Sequence, residues 1–269
     1  MSPLVVVQAR FGSTRLPGKV LLPLAGRPLL ARQLERLAAC RTPFELVVAT
    51  TPAVEDDPVC DAARAAGVRV FRGHPTDLLD RHLQAARAAR AEVVVKIPSD
   101  CPLIAPEVVD RVLAAWTSRA AAERLDYLGN LHPPSYPDGN DVEVMTIDAL
   151  ETAWREARRP VEREHTTPFL WDQPERFRLG NVRWERGVDY SESHRFTIDY
   201  QEDYAFVNAV YDALYSPENP VFSLGAILGL LAARPELLAL NARYHGVTWQ
   251  KRQHAELRHG GAVTQARAE

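Results

Sequence analysis

Four short, nearly continuous apolar runs punctuate the amino-terminal part of the chain: Leu4–Gln8, Leu46–Ala49, Val68–Phe71 and Val93–Ile97. Each has the length of a strand buried on both faces rather than of a helix. Between them, helical patterns cover Pro28–Ala39, Glu55–Ala66 and Asp77–Ala91, with Gly67 where a C-terminal glycine cap belongs and Pro28 suited to a first helical turn. The order βαβαβαβ predicts an α/β, Rossmann-like, mostly parallel sheet flanked by helices. Crossovers between parallel strands are right-handed, and open sheets bind ligands beyond the carboxyl ends of their strands. The loops after the first and fourth strands, "ARFGSTRLPGK" and "PSDCPL", are therefore the places where chemistry is expected.

A further helix is predicted at about Pro106–Ala120. The rhythm then breaks into "LHPPSYPDGNDVEV", rich in proline, glycine and acidic residues, before Asp148 and Glu151 offer a capping box for the next helix. This stretch, about 126–195, reads as a substrate-side insertion. A strand near His194–Ile198 precedes a helix whose Val207, Val210, Tyr211 and Leu214 share one apolar face. Residues 1–245 are read as one domain and 246–269 as a polar tail whose last ten residues are expected to be disordered. There is no internal repeat or low-complexity segment.

Composition narrows the class without naming it. With 269 residues, of which 46% are hydrophobic and 25% charged, the chain can bury a substantial core. A net charge of −3 supplies no overall basic field, which argues against a nucleic-acid partner, so a cationic site must be local. Cys40, Cys60 and Cys101 lack paired metal-ligand spacing, and three free thiols fit a reducing compartment. No signal-peptide pattern and no apolar run of membrane-spanning length is visible, so a soluble, cytoplasmic protein is expected.

Arg10, Arg15 and Lys19 concentrate positive charge in the first loop. Gly12 and Gly18 permit unusual backbone angles there, and Ser13 and Thr14 offer hydroxyls and amides. Pro17-Gly18 suits the centre of a type II turn, which would fold Lys19 back toward Arg15. One outcome is a cradle for a nucleoside triphosphate; the other is a solvated loop pairing with surface carboxylates. The spacing is neither a Walker A loop nor a dinucleotide fingerprint. Asp100 and Asp199 stand just past the fourth strand and past "HRFTI". Together they could hold one Mg2+, which keeps several waters and bridges phosphate oxygens; separately, each could be a cap or turn residue.

With these residues in place, "QARFGSTRLPGKVLLPLAGRPLL" resembles the amino-terminal signature of the cytidylyltransferases that activate acidic sugars. The segments "RGHPTDLLDRHLQAA", "IPSDCPLI", "YPDGNDVEV", "EREHTTPF" and "RFTIDYQEDY" resemble the branch containing the spore-coat polysaccharide protein SpsF. The resemblance runs from about Leu4 to Tyr244. Ser99 and Asn140 depart from it, replacing an expected glycine and an expected apolar residue. It implies that Arg10, Arg15 and Lys19 contact the triphosphate of CTP and serve catalysis with Asp100. It also implies that Asp100 and Asp199 bind Mg2+, and that Gln8, Ala9, Gly12, Ser13, Arg72 and Asp80 complete the nucleotide site. Relatives further imply a homodimer, with the region after Asp126 near the partner's site.

Tyr136, Asp138, Asp141, Glu143, Arg163, Glu164, His165 and Arg195 make the remaining polar constellation, assigned to the acceptor. Arg163 and Arg195 offer planar two-pronged donors for a carboxylate or phosphate, which makes an acidic small-molecule acceptor the expectation. His165 could orient or deprotonate the attacking hydroxyl, or be a structural histidine. The expected reaction transfers CMP from CTP to such an acceptor and releases pyrophosphate. Two rivals stand: a glycosyltransferase of similar topology, and a non-catalytic nucleotide-binding subunit.

Overall fold

The computed structural model describes residues 2–184 and 187–247. The end of the tail, predicted to be disordered, lies outside the described residues. In chain order, β1 (Leu4–Gln8) leads into the cationic loop and a small hairpin of β2 (Pro23–Leu24) and β3 (Arg27–Pro28). The two hairpin-turn residues, Ala25 and Gly26, both take positive φ (46° and 79°), as a tight two-residue connection requires. Then follow α1 (Leu29–Ala38), β4 (Glu45–Thr50), α2 (Asp57–Ala65), β5 (Arg69–Arg72), α3 (Leu78–Ala89), β6 (Val93–Pro98) and α4 (Pro106–Glu123). The second half holds β7 (Tyr127–Gly129), β8 (Glu143–Thr146), α5 (Ile147–Glu156), α6 (Pro160–His165), α7 (Pro168–Trp171), β9 (Leu179–Asn181), α8 (Gln201–Leu214) and α9 (Leu224–Ala233).

One seven-stranded sheet has the order β5-β4-β1-β6-β8-β7-β9. The four strands predicted from apolar runs form its parallel half, while β8 pairs antiparallel with both β6 and β7. The continuous hydrophobicity of β1 has a simple cause: successive side chains enter different cores. Val5 and Val7 pack with Val95, Ile97 and residues of α1, α2 and α4, whereas Leu4 and Val6 pack with Val94 and residues of α3 and α5. A third cluster joins α8 and α9 to Leu24, Leu103, Tyr136, Phe196 and Ile198, and includes the Val207, Val210 and Tyr211 face. No helix among the described residues is long and apolar enough to cross a membrane.

Three expectations about local structure change. The His194–Ile198 segment joins no sheet. It runs extended against two loops, with Asp138 N donating to His194 O (2.9 Å), Phe196 N to Asp138 O (2.7 Å) and Ile198 N to Asp100 O (2.9 Å). Its apolar alternation arises because Phe196 and Ile198 are buried in the third cluster. Asp148 and Glu151 form no capping box, since α5 begins two residues after Met145 and its first turn is capped by Thr146 Oγ1, which accepts from Ala149 N (3.2 Å). Pro28 sits at the N-cap of α1 rather than in its first turn.

Candidate active site

The cationic loop is built by its turn. Gly18 has φ 68° and ψ 13°, and Lys19 N donates to Leu16 O (3.2 Å), the geometry of a type II turn over Pro17-Gly18. Gly18 N also donates to Phe11 O (2.9 Å), and a Cβ at Gly18 would come 2.9 Å from the Phe11 ring, so the loop closes on itself at a residue that must be glycine. Asp56, buried and unmarked by the sequence pattern, anchors the loop's other end: its Oδ1 accepts from Phe11 N (2.6 Å), and its Oδ2 accepts from Thr51. An acid at a helix start reads as a dipole partner, which hid this role.

The turn carries Lys19 across the carboxyl edge of the sheet. Lys19 Nζ donates to Asp100 Oδ2 (2.8 Å), Asp199 Oδ1 (3.0 Å) and Ile198 O (2.6 Å). Arg15 Nη2 donates to the same Asp199 Oδ1 (2.5 Å). Two acids almost a hundred residues apart in sequence thus converge on one ammonium, because Ile198 N bonds Asp100 O and draws the second segment alongside the first. Burial pushes the Asp199 carboxyl up, but Lys19 and Arg15 outweigh it and hold the group well below the usual carboxylate range. Burial likewise opposes the charge of Lys19, and Asp100 and Asp199 outweigh it, leaving its pKa raised. Three oxygens converging on one cation form a hard donor set of the kind Mg2+ accepts. Among the described residues no group of three or more His, Cys, Asp or Glu side chains could hold a metal, so a cation here would draw its other ligands from water and phosphate.

The other expected nucleotide residues are dispersed. Arg10, Gly12 and Arg15 are exposed on the loop, Ser13 is half-buried and Ala9 is buried at the end of β1. Gln8 turns onto α3: Arg81 Nη1 donates to its Oε1 (2.7 Å), and its Nε2 lies 2.7 Å from His82 Nδ1. Arg81 itself, 1% exposed, is otherwise held by the carbonyls of His74 and Pro75; burial and the neighbouring Arg10 push it down to about 10. Arg72 and Asp80 do not join the cradle. Arg72 is drawn onto Asp57 and the Thr51 and Ala53 carbonyls, and Asp80 Oδ1 accepts from Trp154 Nε1 (2.8 Å) on α5.

The acceptor constellation divides as well. Asp138 and Asp141 both have raised pKa values. Burial is the larger cause in each, followed by Asp141 for Asp138, and by Glu143 for Asp141, which is pushed up to about 6. Tyr136 is buried, with its hydroxyl 3.4 Å from Arg183 O. Glu143 is 1% exposed and saturated: Oε1 accepts from Tyr127 (2.8 Å) and Thr167 (2.7 Å), and Oε2 pairs with Lys96. The two guanidiniums expected to grip an acid are already engaged. Arg163 bonds Asp77 (3.2 Å) and the carbonyls of Trp154 and Ala157, and Arg195 is buried among carboxylates. His165 ends α6, half-buried, just before Thr166, whose φ of 73° is a strained value for a β-branched residue. Asn140, the departure in "PDG", caps the start of α4 by accepting from Ala105 N through Oδ1 (3.0 Å). Cys101, beside Asp100, is buried with its thiol pKa raised well above normal, as suits a loop residue and not a nucleophile.

Comparison with known proteins shows which family this fold and sequence belong to. The cytidylyltransferase family model matches residues 4–223. The chain belongs to the cytidylyltransferase family. It is 30% identical over 246 residues to the spore coat polysaccharide biosynthesis protein SpsF of Bacillus subtilis, covering 87% of this chain and 95% of that protein. It is 41% identical over 119 residues to a 3-deoxy-manno-octulosonate cytidylyltransferase of Anaeromyxobacter dehalogenans, covering 43% of this chain and 48% of that enzyme. A solved cytidylyltransferase structure from Leptospira borgpetersenii superposes with a TM-score of 0.82 at 31% identity, covering 88% of this chain and 97% of that one. Family membership extends from β1 to just before α9, and so takes in the cradle and both aspartates.

Proposed function

We propose that this protein transfers CMP from CTP to a hydroxyl of an acidic sugar or a related acceptor, with release of pyrophosphate and with Mg2+ as cofactor, in surface polysaccharide or related biosynthesis. The observation that carries the reading is the convergence of Lys19, Arg15, Asp100 and Asp199 at the carboxyl edge of the sheet. Mg2+ held by Asp100 and Asp199 would supply Lewis-acid polarisation of the α-phosphate. Lys19 and Arg15 offset charge growing on the leaving pyrophosphate, and Arg10, exposed at the loop entrance, extends that positive face. The loop bearing Asp138 and Asp141 forms the wall on which the acceptor would lie.

The acidic character of the acceptor is supported by the names of relatives that act on 3-deoxy-manno-octulosonate. A glycosyltransferase of this topology would draw a second metal ligand from an Asp-x-Asp loop, but Asp100 is followed by Cys101 and Pro102. The matching carboxylate here comes from Asp199 instead. A homodimer is part of the proposal, and a monomer by sizing would remove that part.

Thermal unfolding with each of the four ribonucleoside triphosphates plus Mg2+ tests the nucleotide. Ligand at 100 times its dissociation constant adds roughly 2.7 kcal/mol to native-state stability. A rise in melting temperature with CTP alone is the expected result; an equal rise with UTP, ATP or GTP would remove the cytidylyl assignment.

A further inference from the structure

Arg195 is 2% exposed and meets three carboxylates. Its Nη1 donates to Asp138 Oδ2 (3.0 Å) and to the Val247 carbonyl (3.1 Å). Its Nη2 donates to Asp199 Oδ2 (3.1 Å) and Asp203 Oδ2 (3.4 Å), and its Nε to Asp203 Oδ1 (3.0 Å). These partners belong to different parts of the molecule: Asp138 to the acceptor-side loop, Asp199 to the phosphate side, Asp203 to the first turn of α8. Burial lowers the guanidinium's pKa and the carboxylates, Asp138 foremost, more than restore it, so its charge is permanent.

Asp199 divides its two oxygens between two kinds of cation. Oδ1 accepts from Arg15 and Lys19, the groups a triphosphate would recruit; Oδ2 accepts from Arg195, which is enclosed and has no route to a phosphate. The backbone is held by the same device, because Asp203 Oδ2 accepts from the amides of Asp199 (2.9 Å) and Tyr200 (3.0 Å). Asn241 Nδ2 adds a brace by donating to Arg195 O (2.9 Å) and Asp203 Oδ1 (3.1 Å). A carboxylate fixed at one oxygen by a planar donor has its other oxygen aimed.

We infer that Arg195 is a positioning residue: it holds Asp199 Oδ2 within a frame made by Asp138 and Asp203, so that Oδ1 is aimed at the divalent cation, and it ties that aim to the acceptor-side loop through Asp138. The inference rests on the proposed function. It makes the loop that would meet the acceptor a determinant of metal affinity, with no metal contact of its own.

Binding of Mn2+ to the full-length protein with CTP present, followed as the loss of the free-ion paramagnetic resonance signal beyond the loss that the same CTP produces without protein, tests this. Arg195→Lys keeps a charge and loses the fork; Asp138→Asn removes one side of the frame, at a side chain that is 18% exposed, and leaves Asp199 and Asp203 on Arg195. Arg195→Lys is expected to weaken Mn2+ binding about tenfold and Asp138→Asn about threefold, with turnover recovering as the divalent cation is raised. If Arg195→Lys does not fold, Asp138→Asn decides alone. Folded variants that bind Mn2+ as tightly as the wild type would overturn the positioning role and leave the cytidylyl reading intact. A wild-type protein that binds no Mn2+ with CTP would overturn both.

Discussion

Lys19 and Lys96 are the two lysines among the described residues, and each forms an ion pair with carboxylates at the carboxyl edge of the sheet. Their side chains are almost equally covered, at 12% and 14% exposure. The carboxylates differ. The Glu143 side chain is 2% exposed, and its oxygens serve Lys96, Tyr127 and Thr167, so the pair is closed on every side. The Asp100 side chain is 24% exposed and meets Lys19 through one oxygen, which is the open side of this site; Asp199, with a side chain 7% exposed, shares its Oδ1 between two cations that stand on a surface loop. An ion pair becomes architecture when its acid is saturated and enclosed. It becomes chemistry when the acid keeps an open side and the cation sits on a segment that another anion can recruit.

The sharpest break between the two pairs comes from removing each cation. Lys96→Met leaves Glu143 buried beside two hydroxyls without its counter-charge, and is expected to cost about 3–5 kcal/mol in urea unfolding. Lys19→Met is expected to reverse the balance. Asp199 keeps Arg15 and Arg195, so the stability loss is smaller, while turnover falls about 10²- to 10³-fold in a pyrophosphate-release assay. Equal stability losses would erase the distinction.

Gly139→Ala probes the contact between the segment that carries Asp199 and the proposed acceptor loop. Gly139 has φ +102°, and a Cβ there would lie 2.8 Å from Thr197 N and 2.9 Å from Phe196 C, both backbone atoms that cannot swing away. A loss of about 1–3 kcal/mol is expected, together with weaker divalent-cation binding, because the 194–199 segment would be pushed off the loop.

The smallest effect, read per pH unit and per group, concerns pH and belongs to the closed pair. Burial, with Lys96 nearby, lowers His82 from 6.5 to about 3, and burial lowers His132 to about 4. The unfolded chain therefore binds these protons before the folded one does. Stability is full above about pH 6.5 and is lost as pH falls toward the folded values, by about 1.4 kcal/mol per pH unit for each histidine. His82→Asn should flatten the acid limb of a urea-midpoint profile by one such contribution; an unchanged slope would show that His82 does not carry it.

Much of the open pair was legible in the sequence. A type II turn signal at Pro17-Gly18, three cations in one loop and an acid after a buried strand are local features, and local features survive without coordinates. The parallel half of the sheet was legible for the same reason, since β1, β4, β5 and β6 are each a continuous apolar run. The closed pair was not. Lys96 and Glu143 lie on antiparallel neighbours β6 and β8, and their register is visible only once the sheet is assembled. Arg195 misled for a related reason: a planar two-pronged guanidinium suggests a ligand grip, and the sequence does not show that Asp138 and Asp203 have already enclosed it. The anchoring role of Asp56 was equally hidden, because its partner Phe11 N lies 45 residues away in sequence.

Pyrophosphate release is the decisive assay for the proposed role of the open pair in nucleotidyl transfer from CTP. The wild-type protein would be incubated with Mg2+, each ribonucleoside triphosphate and a panel of acidic sugars, with Lys19→Met as the control. Pyrophosphate released from CTP and not from UTP, dependent on one acidic sugar and abolished in Lys19→Met, is the expected result. Sugar transfer from a preformed nucleotide sugar, with no pyrophosphate from CTP, would overturn that role.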